Sequence, residues 1–246
     1  MKILFLGTNG WYDTRTGNTL CILIETKKEY IILDAGNGIY KIDDHIRSKK
    51  PIYLFLSHYH MDHIEGMHIL AKFHFKQGIT ILGPKGLGKF FRRVIRADYT
   101  APLSRLKVKI RLREIKKNMK LPLSFEARPL KHPVPCLGYR FYIEGKTVAF
   151  CTDTGLCPNL TRLAKNADIL ISECSFLSGQ RSPGWPHLNP ELAAKAALRA
   201  KAKRLVLTHF DASLYTTPEL RKISERKASK IFANTKASYD GMAIKL

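Results

Sequence analysis

The sequence predicts an α/β protein in which two β-sheets face one another and helices cover their outer sides. Three observations point there. Apolar runs such as residues 52–56 are continuous instead of alternating, which suits strands covered on both faces. Strand-like and helix-like segments interleave along the 246 residues. The β-rich segments also fall into two halves, each followed by helical ones.

In chain order, residues 2–6, 20–25 and 30–33 are short β-rich runs separated by glycine-rich turns, the third ending in Asp34-Ala35-Gly36. Residues 52–56 form a fourth strand and 64–73 the first helix. Residues 79–82 are strand-like and lead through Gly83-Pro84-Lys85-Gly86-Leu87-Gly88-Lys89 into a helix over 86–96. Those seven residues fit a phosphate-binding loop, but Phe90 stands where the metal-binding Ser or Thr is required. The segment is therefore expected to be a glycine turn opening a helix, with some phosphate affinity through backbone N–H groups. Over 106–113, Lys107, Lys109, Arg111 and Arg113 alternate with Val108, Ile110 and Leu112, a strand with one basic face. Strands at 140–144, 147–151, 169–172 and 204–208 and helices at 159–166, 190–202 and 218–232 complete the pattern. Pro190 and Pro218 sit in first helical turns and Asn189 is positioned as a cap. No repeat or linker interrupts the chain, so residues 1–246 are expected to form one domain.

Composition narrows the class. With 45% apolar and 25% charged residues the chain is neither collagenous, coiled-coil nor disordered. Cys21, Cys136, Cys151, Cys157 and Cys174 contain no C-x-x-C pair and are odd in number, which fits a reducing compartment. The apolar start is too short for a signal peptide, and no window approaches the ~18 apolar residues of a membrane span. A cytoplasmic protein without membrane attachment is expected. The net charge of +22 should attract polyanions, although lysine bias alone gives the same excess. The charge is local: residues 76–131 hold 16 Lys and Arg against Asp98, Glu114 and Glu126. Phe90, Phe91 and Tyr99 stand among these cations, either to stack on bases or to pack inward.

The strongest chemical signal is Ser57-His58-Tyr59-His60-Met61-Asp62-His63, directly after an apolar run. Chance produces H-x-H-x-D-H in roughly one chain in two thousand of this composition. At a strand end, alternating His58 and His60 can point one way while Asp62 and His63 point another, which suits two adjacent metals. Further donors stand at the ends of other apolar runs: His132, Asp153 and His209. Singly each is an ordinary turn or capping residue; together with the cluster they read as ligands.

The order Asp34, H-x-H-x-D-H at 58–63, His132, Asp153 and His209 resembles the metallo-β-lactamase superfamily over the whole chain. Within it, His132-Pro133-Val134-Pro135-Cys136-Leu137-Gly138-Tyr139-Arg140, Thr152-Asp153-Thr154-Gly155 and Leu207-Thr208-His209-Phe210 resemble the ribonuclease Z branch. The resemblance implies a four-layer αβ/βα sandwich of two facing mixed β-sheets with outer helices and a metal pair at its edge. It implies that His58, His60 and His132 hold one metal, that Asp62, His63 and His209 hold the second, and that Asp153 bridges them. Asp34 would orient the histidine loop without touching a metal, and Asp62 would also count among the catalytic residues. Ligation by nitrogen and oxygen alone suits Zn²⁺ first, with Mn²⁺ or Fe²⁺ as alternatives. Glu173 in Ser172-Glu173-Cys174-Ser175-Phe176 and His187 in Pro186-His187-Leu188-Asn189 resemble a glutamate that orients a histidine proton donor. Active homodimers are implied as well.

The chain departs from that branch in two ways. Ser172-Glu173-Cys174-Ser175 stands for His-Glu-Ala-Thr and His187-Leu188-Asn189 for His-Ser-Thr. Only 20 residues separate His132 from Asp153, where many ribonuclease Z enzymes insert a tRNA-gripping arm. Either the basic segment 76–131 replaces the arm or the substrate is smaller than tRNA. The expected function is a dinuclear metal-dependent phosphodiesterase that attacks an RNA or nucleotide phosphodiester with metal-bound hydroxide. A thioester or lactone hydrolase, and a nucleic-acid-binding protein with a structural metal site, are the alternatives.

Overall fold

The computed structural model describes all residues except Asn118 and Pro183. Its N-terminal strands are β1 (Lys2–Gly7), β2 (Asn9–Gly10), β3 (Cys21–Glu25), β4 (Tyr30–Leu33), β5 (Ile52–Phe55), β6 (Ile79–Gly83) and β7 (Ile110–Glu114). The later ones are β8 (Ser124–Pro129), β9 (Leu137–Ile143), β10 (Lys146–Cys151), β11 (Ile169–Glu173), β12 (Leu205–Thr208), β13 (Phe210–Asp211), β14 (Thr235–Ala237) and β15 (Ala243–Lys245). One mixed sheet runs β15-β1-β3-β4-β5-β6-β7 and the other β14-β12-β11-β10-β9-β8. The short parallel pair β13 and β2 ties Phe210 to Asn9, across from one half of the chain to the other.

Strand periodicity explains why the apolar runs are continuous. Side chains alternate between faces, and both faces of each sheet are buried. From the first sheet Ile3, Phe5, Tyr53 and Phe55 meet Tyr139, Phe141, Val148 and Ile171 of the second in a shared layer. The alternate residues Leu4, Leu6, Leu54 and Leu56 pack outward on Ile39, Leu70 and Phe91. Across the molecule, Ala149, Cys151, Leu170 and Leu205 pack outward on Leu160, Leu163, Ala193 and Ala197. Three apolar layers between helix, sheet, sheet and helix make the four-layer αβ/βα sandwich.

The helices are α1 (Met61–Ile64), α2 (Leu87–Val94), α3 (Pro158–Ala164), α4 (Pro190–Arg199) and α5 (Pro218–Ser229), with 3₁₀ segments at Asn37–Asp44, Glu65–Lys72 and Leu103–Arg105. Asn189 caps α4, its side chain accepting from the Leu192 N–H at 2.9 Å. None is long and apolar enough to cross a membrane. All five cysteines are free.

Several elements differ from expectation for physical reasons. The helix expected over 64–73 is one α turn followed by 3₁₀ structure, because the Gly66 N–H donates to Ala35 O at 2.9 Å instead of continuing an α ladder. The strand expected from 106 starts at Ile110, since Leu106 closes a 3₁₀ turn onto Leu103. The edge strands β8, β14 and β15 have no strong pattern of their own and are defined by the neighbours they pair with. The glycine turn before α2 forms as expected, with Gly86 at φ 100°, a backbone that favours glycine. Its N–H is not free for phosphate, however, because Glu114 accepts from it at 2.8 Å. Of the aromatics in the basic segment, Phe91 is buried, Phe90 stacks on Tyr59 and Tyr99 alone is exposed.

Phe55 sits in the layer between the sheets, its ring 5.1, 5.2 and 5.0 Å from Phe125, Tyr139 and Phe141 in edge-on contacts. Phe55→Ala is expected to lower the unfolding free energy by about 3–5 kcal/mol, read from the urea midpoint at unchanged m-value. A loss below about 1 kcal/mol would show that this layer does not bind the sheets together.

Candidate metal centre

Strands from both sheets end at one edge, and the polar residues that follow them converge there. Asp34 follows β4, Ser57–His63 follow β5, Asp153 follows β10, Glu173 closes β11 and His209 follows β12. His132 follows β8 after two residues. Asp34, Asp153 and His209 take the left-handed backbone at φ 57°, 52° and 53°, turning each side chain off its strand and into the edge. Asp and His tolerate this conformation better than most residues, yet each instance carries strain of roughly 1–3 kcal/mol that the surrounding packing must hold.

The donor atoms form two groups that share no residue, His58, His60, His132 and Asp153 in one and Asp62, His63 and His209 in the other; Asp153, His187 and His209 make a third set that overlaps both. In the first, the three ring centroids are 4.5, 4.9 and 5.0 Å apart, and His132 Nε2 faces His60 Nδ1 at 3.3 Å. In the second, His63 Nε2 faces His209 Nε2 at 3.1 Å, and Asp62 Oδ2 lies 3.1 Å from the latter. Asp153 spans the two. Its Oδ1 is 3.2 Å from both His63 Nε2 and His209 Nε2, while its Oδ2 lies 3.7 Å from His58 Nε2.

The opposite ring nitrogens are fixed from behind. Asp34 accepts from His63 Nδ1 at 2.8 Å and from the Ser57 N–H and Oγ–H at 2.6 and 2.8 Å. Ser57 Oγ contacts His58 Nδ1 at 3.0 Å, and Ser175 Oγ contacts His209 Nδ1 at 3.0 Å. With Nδ1 engaged in each ring, the Nε2 lone pairs are aimed inward. His58 Nε2 is buried and has no hydrogen-bond partner among the described residues. An unpartnered buried nitrogen and imidazoles facing one another fit cations between them, and an all-nitrogen-and-oxygen set fits divalent ones.

Electrostatics divide the rings in the same way. Burial, reinforced by the neighbouring His63 charge, pushes His58 well below its usual range. Burial likewise lowers His132, to about 4. For His63, burial would act downward, but the carboxylates of Asp153, Asp62 and Asp34 outweigh it and hold the ring well above its ordinary value. His209 is raised against burial by Asp153 and Asp62. Asp62 and Asp153 are held well below the usual carboxylate range, because the facing histidines overcome the upward push of burial.

The loop that carries these ligands is locked in place. Tyr59, between His58 and His60, donates its O–H to Pro84 O at 2.6 Å and stacks on Phe90 at 5.1 Å. Gly10 lies flat against the His209 ring, where a Cβ would come within 2.5 Å of Cε1, so any larger residue would displace the imidazole.

Beside the donors, Glu173 is fully buried and accepts from four groups: the N–H of Thr154, Ser175 and Leu188 at 2.6, 3.2 and 3.1 Å, and His187 Nδ1 at 2.8 Å. Burial would lower His187, yet the Glu173 carboxylate raises it to about 9. The ring stacks 6.0 Å from that of His209 and lines a cleft of about 470 Å³.

Every candidate ligand, and with them Asp34, Glu173 and His187, therefore lies at this one edge. Missing from that set were Ser57 and Ser175, small hydroxyls inside the quoted motifs, and Trp11 and Trp185. The Trp11 N–H donates to Asp62 Oδ2 at 2.8 Å. The only available signal for the tryptophans was that the chain has just two, each beside glycine in a loop.

A family model described as a beta-lactamase superfamily domain matches residues 29–210. A ribonuclease Z from Microcystis aeruginosa is 28% identical, with 98% of this chain and 94% of the relative covered. That alignment runs over 303 residues, more than the chain's 246, so the relative carries segments with no counterpart here. Among solved structures, the metallo-beta-lactamase fold protein YhfI from Bacillus subtilis matches with TM-score 0.83 at 22% identity, covering 99% of this chain and 98% of its own. The short form of human tRNase Z matches with TM-score 0.76 at 22% identity, covering 100% and 99%. These two likenesses are of fold.

The His187–Glu173 pair has a signature in stability. Folded His187 holds its proton up to about pH 9, against an ordinary value of 6.5, so its contribution is complete below 6.5 and lost as pH rises through 9. In protein stripped of divalent ions by a chelator, the stability advantage of the parent over Glu173→Gln is expected to shrink across that window, followed by urea unfolding. A difference that stays constant with pH would contradict the pairing.

Proposed function

The chain belongs to the metallo-β-lactamase superfamily, and from that premise we propose that it is a dinuclear metal-dependent phosphodiesterase, ribonuclease Z-like, acting on an RNA or nucleotide phosphodiester. The observation that carries this reading is Asp153, which presents one carboxylate oxygen to each donor group and so suits a pair of cations better than one. His58, His60 and His132 would hold one ion and Asp62, His63 and His209 the other, with Asp153 shared between them. When bound, two divalent ions, Zn²⁺ first, supply a water of lowered pKa and neutralise charge on a phosphoryl oxygen.

The chain's own residues do the rest. Asp34, Ser57 and Ser175 hold the ligand tautomers, and the Trp11 N–H positions Asp62. His187, charged at neutral pH through Glu173, donates the proton that the leaving oxygen needs. A phosphodiester is favoured by the net charge of +22 and by similarity to ribonuclease Z along the whole chain. The substrate is gripped without an arm: β9 and β10 are joined at Glu144 and Gly145, both with positive φ, a tight hairpin turn that fills the interval between His132 and Asp153. In this reading residues 1–246 are one hydrolase domain, and five free cysteines suit a cytoplasmic setting.

The decisive assay incubates Zn²⁺- or Mn²⁺-loaded protein with a 3′-extended tRNA precursor and, separately, a 2′,3′-cyclic nucleotide. At least one is expected to be consumed; turnover of neither, with hydrolysis of a thioester or lactone instead, would overturn the assignment. Asp62→Ala should abolish turnover, and full retained activity on bis-p-nitrophenyl phosphate would refute the ligand set. Asp34→Asn is expected to weaken metal binding about 10- to 100-fold by chelator competition. His187→Ala should slow RNA cleavage by about 10²–10⁴ while costing far less on bis-p-nitrophenyl phosphate, whose leaving group needs no proton. Equal losses on both substrates would remove His187 from the role of acid.

A further inference from the structure

The chain has only two tryptophans, and both line the cleft at the metal centre. Neither is placed as a core residue: Trp11 is 65% exposed and Trp185 47%. They stand at opposite donor groups. Trp185 lies parallel to the His60 ring, at 5.7 Å and 10°, and edge-on to His132 at 5.7 Å. Trp11 belongs to the other group, its backbone N–H donating to the Asp62 carboxylate and its neighbour Gly10 against the His209 ring. Trp11 is held at φ 76°, a backbone that a bulky residue adopts only under constraint, and its indole is propped edge-on against Tyr12 at 5.2 Å.

What sets these two apart from the other exposed aromatics is that both indoles line the cleft at the metal centre. Trp185 stacks on His60 and remains 47% exposed, leaving indole surface that a planar partner can cover. In an RNA or nucleotide substrate the planar group near the phosphate is a nucleobase, and an aromatic platform accepts any base because every base has a π-face. Phe176 and Met61 add apolar lining to the same cleft. We propose that Trp11 and Trp185 are stacking platforms for nucleobases flanking the scissile phosphate, so that the substrate must carry a base there. This deepens the phosphodiesterase reading and rests on it for the position of the phosphate. It also gives a chain without an arm a means of gripping its substrate close to the reacting group.

Because the only indoles are these two, intrinsic fluorescence reports the event directly. With Zn²⁺-loaded protein, adenosine 5′-monophosphate is expected to quench the emission and to bind about 5- to 100-fold more tightly than ribose 5-phosphate by calorimetry. Trp185→Ala or Trp11→Ala should remove most of that preference, and the corresponding Phe variants should keep it. Equal affinity for the two ligands, or a preference that survives both alanine variants, would overturn the proposal. A short single-stranded RNA run beside the nucleotide separates the sources: tighter binding of the RNA places the bases in a chain, equal binding places one in a free nucleotide, and either upholds stacking. The two readings fail separately. Phosphodiester turnover without base preference removes the platforms and leaves the phosphodiesterase; base preference without turnover does the reverse.

Discussion

Imidazole nitrogens that face one another across 3.1 and 3.3 Å, with the Nδ1 atoms of His58, His63 and His209 held from behind, are the constraint on which the rest of this molecule depends. Two lone pairs at that separation repel, so each facing pair needs a proton or a metal ion between its nitrogens. The carboxylates of Asp62 and Asp153 face the same points, so the edge of the sandwich is a negative and lone-pair-rich pocket with its dipoles set in advance. A site of this kind is built for cations and costs stability without them.

That cost is met by the scaffold. Three of the strand-end residues accept left-handed backbone, and Gly10 surrenders its side chain so that His209 can lie flat. The strands behind them are buried on both faces, which gives the edge little freedom to relax. Tyr59 pins the histidine loop to Pro84 and Phe90, and the Tyr139 hydroxyl pins the preceding strand by donating to Leu56 O at 2.5 Å. Glu173 is treated likewise: three backbone N–H groups offset the burial of its carboxylate and leave it able to orient His187.

Charge is distributed on a different scale. The basic segment 76–131 supplies a field and one exposed aromatic, Tyr99, while Phe90 and Phe91 serve packing. Charge and site are thus separate features: the lysines and arginines of this segment set the field, and the side chains of the cleft come from other elements.

Local chemistry was legible in the chain itself. The histidine cluster is six residues long, the proline-led helices are announced by their first turns, and apolar runs covered on both faces can only be inner strands. These signals need no knowledge of distant residues. What they could not reveal depends on partners far along the chain. The edge strands β8, β14 and β15 exist because a neighbour offers unpaired hydrogen bonds, and the segment after His63 is 3₁₀ because Gly66 answers to Ala35. Sequence order put Asp153 among the candidates, but only folding sets its two oxygens against different histidines. Trp11 and Trp185, unremarked in the chain, meet across one cleft for the same reason: hydrogen bonding and packing over long separations are properties of the closed sandwich, and no window of sequence contains them.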